Sequence, residues 1–176
     1  MSVEDVEAIK ANCDLLSAVT SEISLGSFKA RFAGKEMDVT SMGVEPDYSR
    51  VRNANVKLGR FISLEDVKNW SKVCVIGSKI RSELSMPQDP IGQSIDIAGS
   101  NLTVVGVLEE KGNTNGQDQD KIVLIPTSTS QKRYSGRKSV DVVFAQPKDS
   151  AQLDNAMQQV WELLMKRHNN APGFKI

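Results

Sequence analysis

The sequence predicts an α+β fold in which a discontinuous domain, built from both ends of the chain, carries a β-rich insertion. Three observations point there. Apolar stripes at helical spacing stand near both ends, alternating apolar segments lie beside each of them, and the middle of the chain is a series of short apolar runs separated by turn formers.

At the N-terminal end, Ser2 followed by Asp5 reads as a capping box, and Val3, Val6, Ile9, Cys13 and Leu16 recur at spacings of three and four. This predicts an amphipathic helix running to about Val19. Alternation then predicts strands over residues 22–32 and 36–44, with Gly34-Lys35 turning a hairpin between them.

The C-terminal end uses the same parts in another order. Val140, Val142 and Phe144 alternate as a half-buried strand, Pro147 stops it, and Asp149 with Gln152 opens a helix. On that helix Leu153, Met157, Val160 and Leu164 form the predicted inward stripe, opposite Gln158, Gln159, Glu162 and Lys166. Trp161 lies beside the stripe and is expected to pack in the core, with an interface as the alternative. Asn169, Asn170, Pro172 and Gly173 end the helix, and residues 174–176 begin a further strand. Both helices must bury their stripes, and one mixed sheet drawn from both ends is the economical surface for doing so. The expected lobes are residues 1–46 with 138–176, and the inserted residues 47–137.

Within the insertion the pattern predicts a short capped helix over 63–69, a strand over 73–76, a helix over about 78–84, and strands over 94–98, 102–109 and 121–126. Met86-Pro87, Ala98-Gly99-Ser100 and Lys111-Gly112-Asn113 separate these elements. No repeat of solenoid length and no low-complexity segment interrupts them.

Composition narrows the function classes. A chain of 176 residues with 39% hydrophobic and 25% charged residues has ordinary globular chemistry, and no window holds the roughly 20 apolar residues that cross a bilayer. Lysines and arginines number 22, matched by 22 acidic residues and scattered along the chain, which argues against nucleic acid as partner. The first residues read as a capped helix rather than a secretory leader. Cys13 and Cys74 fall on apolar positions of different expected lobes, as small buried hydrophobes instead of a disulfide pair.

Reactive constellations are absent from the pattern. Gly77-Ser78-Lys79 follows a strand and opens a helix, but position 72 is Lys and Ser78 separates Gly77 from Lys79, so a strand-to-helix turn is expected and not a phosphate loop. Residues 113–120 offer oxygen ligands, yet the glycine is misplaced for a calcium loop and the closing glutamate is missing. An exposed hairpin loop is expected, with Asn113, Asn115, Asp118 and Asp120 as candidate partner contacts. His168 is the only histidine, which leaves no zinc set and no triad; it sits in a last helical turn with Lys166 and Arg167. Arg60, between Gly59 and Phe61, either ties a turn to a carboxylate while Phe61 packs inward, or makes with Phe61 a contact between lobes. No catalytic residue, cofactor site or metal site is expected.

The motifs have an order that is more specific than any one of them. Gly59-Arg60-Phe61, Glu65-Asp66, Val73-Cys74-Val75-Ile76-Gly77, Asp89-Pro90-Ile91-Gly92-Gln93, Val104-Val105-Gly106-Val107-Leu108 and Val123-Leu124-Ile125-Pro126 stand in succession. Upstream stand Asp5-Val6-Glu7-Ala8-Ile9-Lys10 and Gly43-Val44-Glu45-Pro46-Asp47-Tyr48, and downstream Leu163-Leu164, Arg167-His168 and Phe174. Together these resemble the extracytoplasmic (periplasmic) core domain of MacB-like ABC transporter permeases, within the FtsX-like permease family. Ser85-Met86-Pro87 departs from that pattern, where the family often has an aromatic residue and glycine, and residues 118–120 are looser than usual.

The resemblance implies a porter-like lobe from the chain ends and a sabre-like insertion. It implies a domain on the outer face of the bacterial cytoplasmic membrane that transmits ATP-driven motion for export or efflux, with hydrolysis on a separate cytoplasmic domain. Implied partners are a second copy of the permease, a periplasmic adaptor protein and the transported substrate. Membrane helices, one before Ser2 and three after Ile176, would anchor the domain, and residues 1 and 176 would lie close together. A permease domain that hands lipoproteins to a carrier is the alternative within the family, and a free-standing binding module the one outside it.

Overall fold

Two long antiparallel strands set the frame. β1 (Leu16–Phe32) and β2 (Lys35–Val44) pair from Phe32↔Lys35 to Glu22↔Val44. Ala33 and Gly34 turn the chain between them, both at positive φ (46° and 81°). Two such residues in succession match the right-handed twist of the flanking strands, and glycine supplies one without strain. The turn thus falls one residue earlier than the expected Gly34-Lys35.

The computed structural model describes residues 1–114 and 117–169, with Thr114 and Gln117 as backbone alone. α1 (Val3–Asn12) precedes β1, and after β2 come α2 (Tyr48–Val51), β3 (Val56–Gly59), α3 (Leu64–Lys68), β4 (Val73–Ile76) and α4 (Ser78–Glu83). Next are β5 (Ser94–Ile97), β6 (Ser100–Leu108), the short β7 (Asn113–Thr114) and β8 (Gln117–Asp118), β9 (Ile122–Pro126) and α5 (Thr127–Ser130). A π-helical turn over Gln131–Ser135, β10 (Val142–Pro147) and α6 (Leu153–Arg167) complete the order. The protein is α+β.

Among the described residues the main sheet runs β10-β1-β2-β9-β4-β6-β3, with β5 pairing to both β1 and β6. The pairings therefore close on themselves as a ring, β1-β2-β9-β4-β6-β5 and back to β1 through Ala30↔Ile97 and Arg31↔Asp96. A closed ring needs its inward positions filled by side chains. Met37, Val39, Cys74, Ile76, Ile95, Ile97, Leu102, Val104, Val123 and Ile125 fill them, with Ile80 of α4 and Leu84 at its C-terminal cap in the same cluster. Alternate residues face the other way: Val75 and Leu124 join Met42, Val44, Tyr48 and Ile62 in a second cluster. A third cluster, Val6, Ile9, Cys13, Val19, Ile23, Val140 and Leu164, packs α1 and α6 against β1 and is drawn wholly from residues 1–46 and 138–169.

The ring takes two strands from the expected end-built lobe and four from the expected insertion. β2 pairs in parallel with β9 from Thr40↔Ile122 to Val44↔Pro126, so the sheet passes from one to the other without a break. Register also sets where the chain leaves each strand. With Val44 beside Pro126, the Glu45–Asp47 turn and α5 depart from the sheet side by side.

Several local expectations are corrected. α1 stops at Asn12 and does not reach Val19, because Leu16 and Val19 are taken by β1 in pairing with Pro147 and Ala145 of β10. Leu16 fits either spacing, and the tertiary strand partner decides. On α6 the inward face is Ala156, Val160 and Leu164, while Leu153 and Met157 are largely exposed. Trp161, expected in the core, is 48% exposed. α2, β3 and α5 were not expected, and β10 starts at Val142, with Val140 instead buried and donating its N–H to the Met1 carbonyl at 2.8 Å. The expected strand over 174–176 lies outside the described residues. Cys13 and Cys74 are buried free thiols in different clusters, and burial pushes both thiols up from their ordinary range.

Gly43 marks the tightest approach between α5 and the sheet. A Cβ there would stand 2.0 Å from Ser130 Oγ. Gly43→Ala is expected to cost about 1–3 kcal/mol of stability by overpacking, and adding Ser130→Gly should recover much of the loss; urea denaturation of the single and double variants checks both.

Candidate functional site

The polar groups that hold the elements together form four clamps, and they account for most of the candidate residues. At the first, the capping box of α1 does two tasks. Ser2 Oγ accepts the Asp5 N–H at 3.1 Å, and an Asp5 carboxylate oxygen accepts the Ser2 N–H at 3.0 Å. Asp5 is 2% exposed, and it also accepts from Arg167 Nε at 2.9 Å and contacts His168 Nε2 at 3.1 Å. Burial opposes its ionisation, but the bonds from Ser2, Arg167 and His168 outweigh that and hold the carboxyl at about 2, below its ordinary 3.8. The first turn of α1 and the last turn of α6 are thereby fastened together. Residue 176, and with it the expected meeting of residues 1 and 176, lies outside the described residues.

Glu45, at the end of β2, is the second. It is buried, accepts from Ser21 Oγ, and pairs with Lys10 of α1, which also reaches Glu7 at 3.2 Å. Burial disfavours the Lys10 ammonium, yet the two carboxylates outweigh it and raise its pKa.

Arg60 and Asp66 make the third. Ser63 caps α3 by accepting the Asp66 N–H at 3.2 Å, and Asp66 accepts the Ser63 N–H at 2.8 Å. The Arg60 guanidinium forks onto the same carboxylate, with Nη2 to Oδ1 at 3.1 Å, and donates to the Phe61 carbonyl at 3.0 Å. Burial raises the Asp66 carboxyl, and the Arg60 and Ser63 bonds reverse that and lower it. Both ends of this ion pair lie within residues 47–137. Phe61 packs against the second cluster, which also contains Met42 and Val44 of β2.

The fourth clamp gathers the hairpin loop. Asp120 is fully buried and accepts from the N–H groups of Lys111 at 2.8 Å and Gly112 at 2.9 Å. Asp118 pairs with Lys79 of α4 at 3.0 Å and accepts the Asp120 N–H at 3.1 Å. Of the four candidate contacts, Asp120 is turned inward to hold the loop, Asp118 is half-buried against Lys79, Asn113 is exposed, and Asn115 lies outside the described residues. Lys79 serves this ion pair, and Gly77 caps a six-residue helix by its backbone alone, donating to the Ile122 carbonyl at 2.8 Å.

The hydroxyl–carboxylate contacts in these clamps, Ser21 with Glu45 and Ser63 with Asp66, each engage a carboxylate that is also held by a cation, Lys10 or Arg60. Among the described residues no group of three or more His, Cys, Asp or Glu side chains is placed to share a metal ion, and no helix is long and apolar enough to cross a membrane. Sequence reasoning missed the Glu45 and Asp5 clamps. Glu45 meets Ser21 and Lys10 from 24 and 35 positions away, and Asp5 meets Arg167 and His168 from 162 and 163, beyond the reach of local pattern.

The depressed Asp5 carboxyl makes stability depend on pH. Its folded pKa lies below the ordinary value, so its contribution is fully present above pH 3.8 and drains away as pH falls through about 2. Denaturation between those limits should lose roughly 1–2 kcal/mol from this source, and Asp5→Asn should flatten that part of the profile while lowering stability at neutral pH.

The fold has counterparts among known proteins. The sequence profile of the MacB-like periplasmic core domain matches residues 1–163. The macrolide export ATP-binding/permease protein MacB of Bdellovibrio bacteriovorus is 36% identical over 168 residues, covering 96% of this chain and 26% of that protein. That of Azoarcus is 32% identical over 167 residues, covering 94% and 25%. The chain thus spans about a quarter of the length of these relatives. Among solved structures, the periplasmic region of MacB from Actinobacillus actinomycetemcomitans has the same fold, with a TM-score of 0.83 at 19% identity over 96% of this chain and 75% of that one. So does the extracellular domain of the ABC-type transporter YknZ from Gram-positive bacteria, at 0.83 and 21%, over 97% and 86%. With nearly its whole length matched, this chain belongs to the MacB-like periplasmic core domain family, the part of an ABC transporter permease that lies on the periplasmic side of the membrane.

Proposed function

We propose that this domain transmits motion, performing no chemistry of its own: nucleotide hydrolysis on a separate cytoplasmic domain of the parent permease displaces the chain ends, and the domain carries that displacement outward to drive export. The observation that carries the reading is the closed ring of strands. Two of its six strands come from the end-built part and four from the insertion, so a force applied near α1 and α6 reaches the insertion through paired backbone instead of a soft linker. The Asp5 clamp supports it, because α1 and α6 would be pulled as one element.

In this reading residues 1–46 with 138–176 form a porter-like lobe and residues 47–137 a sabre-like lobe, packed as one moving body. Arg60 and Phe61 keep the insertion's own turn seated on the shared core. Two copies face each other in the parent permease, a periplasmic adaptor contacts the hairpin that Asp118 and Asp120 hold at its base, and the cargo passes between or beside them. No cofactor or metal is assigned to the domain.

Spin labels on the parent permease test this. With Lys57→Cys as the only labelled site, the distance between the two copies should change between the nucleotide-free and nucleotide-trapped states. With Lys57→Cys and Gln158→Cys in one copy, the internal distance should not. An unchanged separation between copies across the cycle would count against transmission by this domain.

A further inference from the structure

The parallel pairing of β2 with β9 creates a cleft that none of the four clamps fills. The Glu45–Asp47 turn and α5 leave the sheet together, α1 is drawn over them by the Lys10–Glu45 pair, and α3 is fastened to α5 by bonds from Ser128 Oγ to the Val67 carbonyl at 2.5 Å and from Thr129 Oγ1 to the Ser71 carbonyl at 2.9 Å. Between α1, the turn, α3 and α5 lies a space of about 340 Å³. Val3, Pro46, Leu64 and Val67 give it apolar walls, and Leu64 is 57% exposed at its lip.

Its polar groups are unbalanced. Glu7, Glu45 and Asp47 face one ammonium, Lys10, which is already shared by Glu7 and Glu45. Asp47 is exposed with no side-chain partner among the described residues. Two further lining residues hold buried polar atoms with no bonding partner among the described residues. Thr127 is 5% exposed and its Oγ1 is unpartnered, and so is the Gln131 amide nitrogen at the start of the π-helical turn. π-Helical turns concentrate at functional positions, and an unbonded buried donor is costly unless something arrives to accept from it.

We propose that this cleft docks a partner protein through an extended peptide segment that carries an aliphatic side chain next to a lysine or arginine. The aliphatic side chain packs against Leu64, Val67 and Pro46. The basic group meets Asp47 and Glu7, and a backbone carbonyl of the segment accepts from the Gln131 amide as the cleft adjusts around it. A peptide fits better than a simple amine because the cleft presents both a donor without an acceptor and an excess of carboxylate. The inference goes beyond the transmission of motion and does not depend on it.

The probe is acetyl-Gly-Leu-Arg-Gly-amide, titrated into the isotope-labelled chain and followed by proton–nitrogen correlation spectra, with acetyl-Gly-Leu-Glu-Gly-amide and octylamine as controls. The basic peptide should shift the Leu64 and Val67 amides and the Gln131 side-chain signals, more strongly at low salt than at high salt. The paired surface substitutions Glu7→Gln and Asp47→Asn, which leave the Lys10–Glu45 pair in place, should weaken that response several-fold, and Leu64→Ala should do the same without altering its salt dependence. Absence of these shifts, an equal response to the acidic peptide, or full reproduction by octylamine would overturn the proposal, the last by making the cleft a site for small cationic amphiphiles.

Discussion

The closure of β1-β2-β9-β4-β6-β5 into a ring is the constraint on which the rest of the molecule depends. An open sheet made of the same strands would leave β5 and β1 with unpaired edges and the inward side chains half solvated. Pairing Ala30 and Arg31 with Ile97 and Asp96 removes that edge and seals Ile76, Ile95, Leu102, Val104, Val123 and Ile125 in one cluster. The strands come from sequence positions as distant as Ala30 and Ile125, so the fold is dominated by non-local contacts. Neither the chain ends nor the insertion completes this core alone.

Outside the ring, charged groups are used as fasteners. Each of the buried carboxylates Asp5, Glu45, Asp66 and Asp120 joins two elements and has its oxygens occupied by N–H groups, hydroxyls or cations. Removing one partner from such a contact strands a buried charge, which costs more than a surface ion pair is worth. Asp5 and Glu45 hold α1 at its first turn and its last, and α1 thereby becomes the element through which the end of the chain, the sheet and α6 are connected. The proposed transmission of motion needs such an arrangement, because it stiffens the places where force would enter.

How much of this was legible depended on distance along the chain. The capping boxes at Ser2–Asp5 and Ser63–Asp66 were readable because each is complete within four residues, and β4, β5, β6 and β9 were readable as apolar runs between turn formers. α1 was overextended because Leu16 and Val19 satisfy helical spacing as well as the strand that claims them. α5 left no signal: Thr127-Ser128-Thr129-Ser130 has no apolar period, and its position depends on Ser130 resting against Gly43 across the sheet. Trp161 was misplaced since residues beside a stripe can face either way, and the packing of Ala156, Val160 and Leu164 turned it outward. The cleft between α1, α3 and α5 was illegible for the same reason as the ring. Its walls come from four separate stretches of sequence that the β2–β9 register, the Lys10–Glu45 pair and the bonds from Ser128 and Thr129 bring together.

Native-state hydrogen exchange under increasing denaturant tests the ring most directly. If the six strands close one cooperative core, the slowest amides of β1, β2, β4, β6 and β9 open through a single shared event, with the same free energy and the same denaturant dependence. Protection that persists in β4, β6 and β9 after β1 and β2 have exchanged would mean that the insertion stands without the chain ends, and would contradict the account.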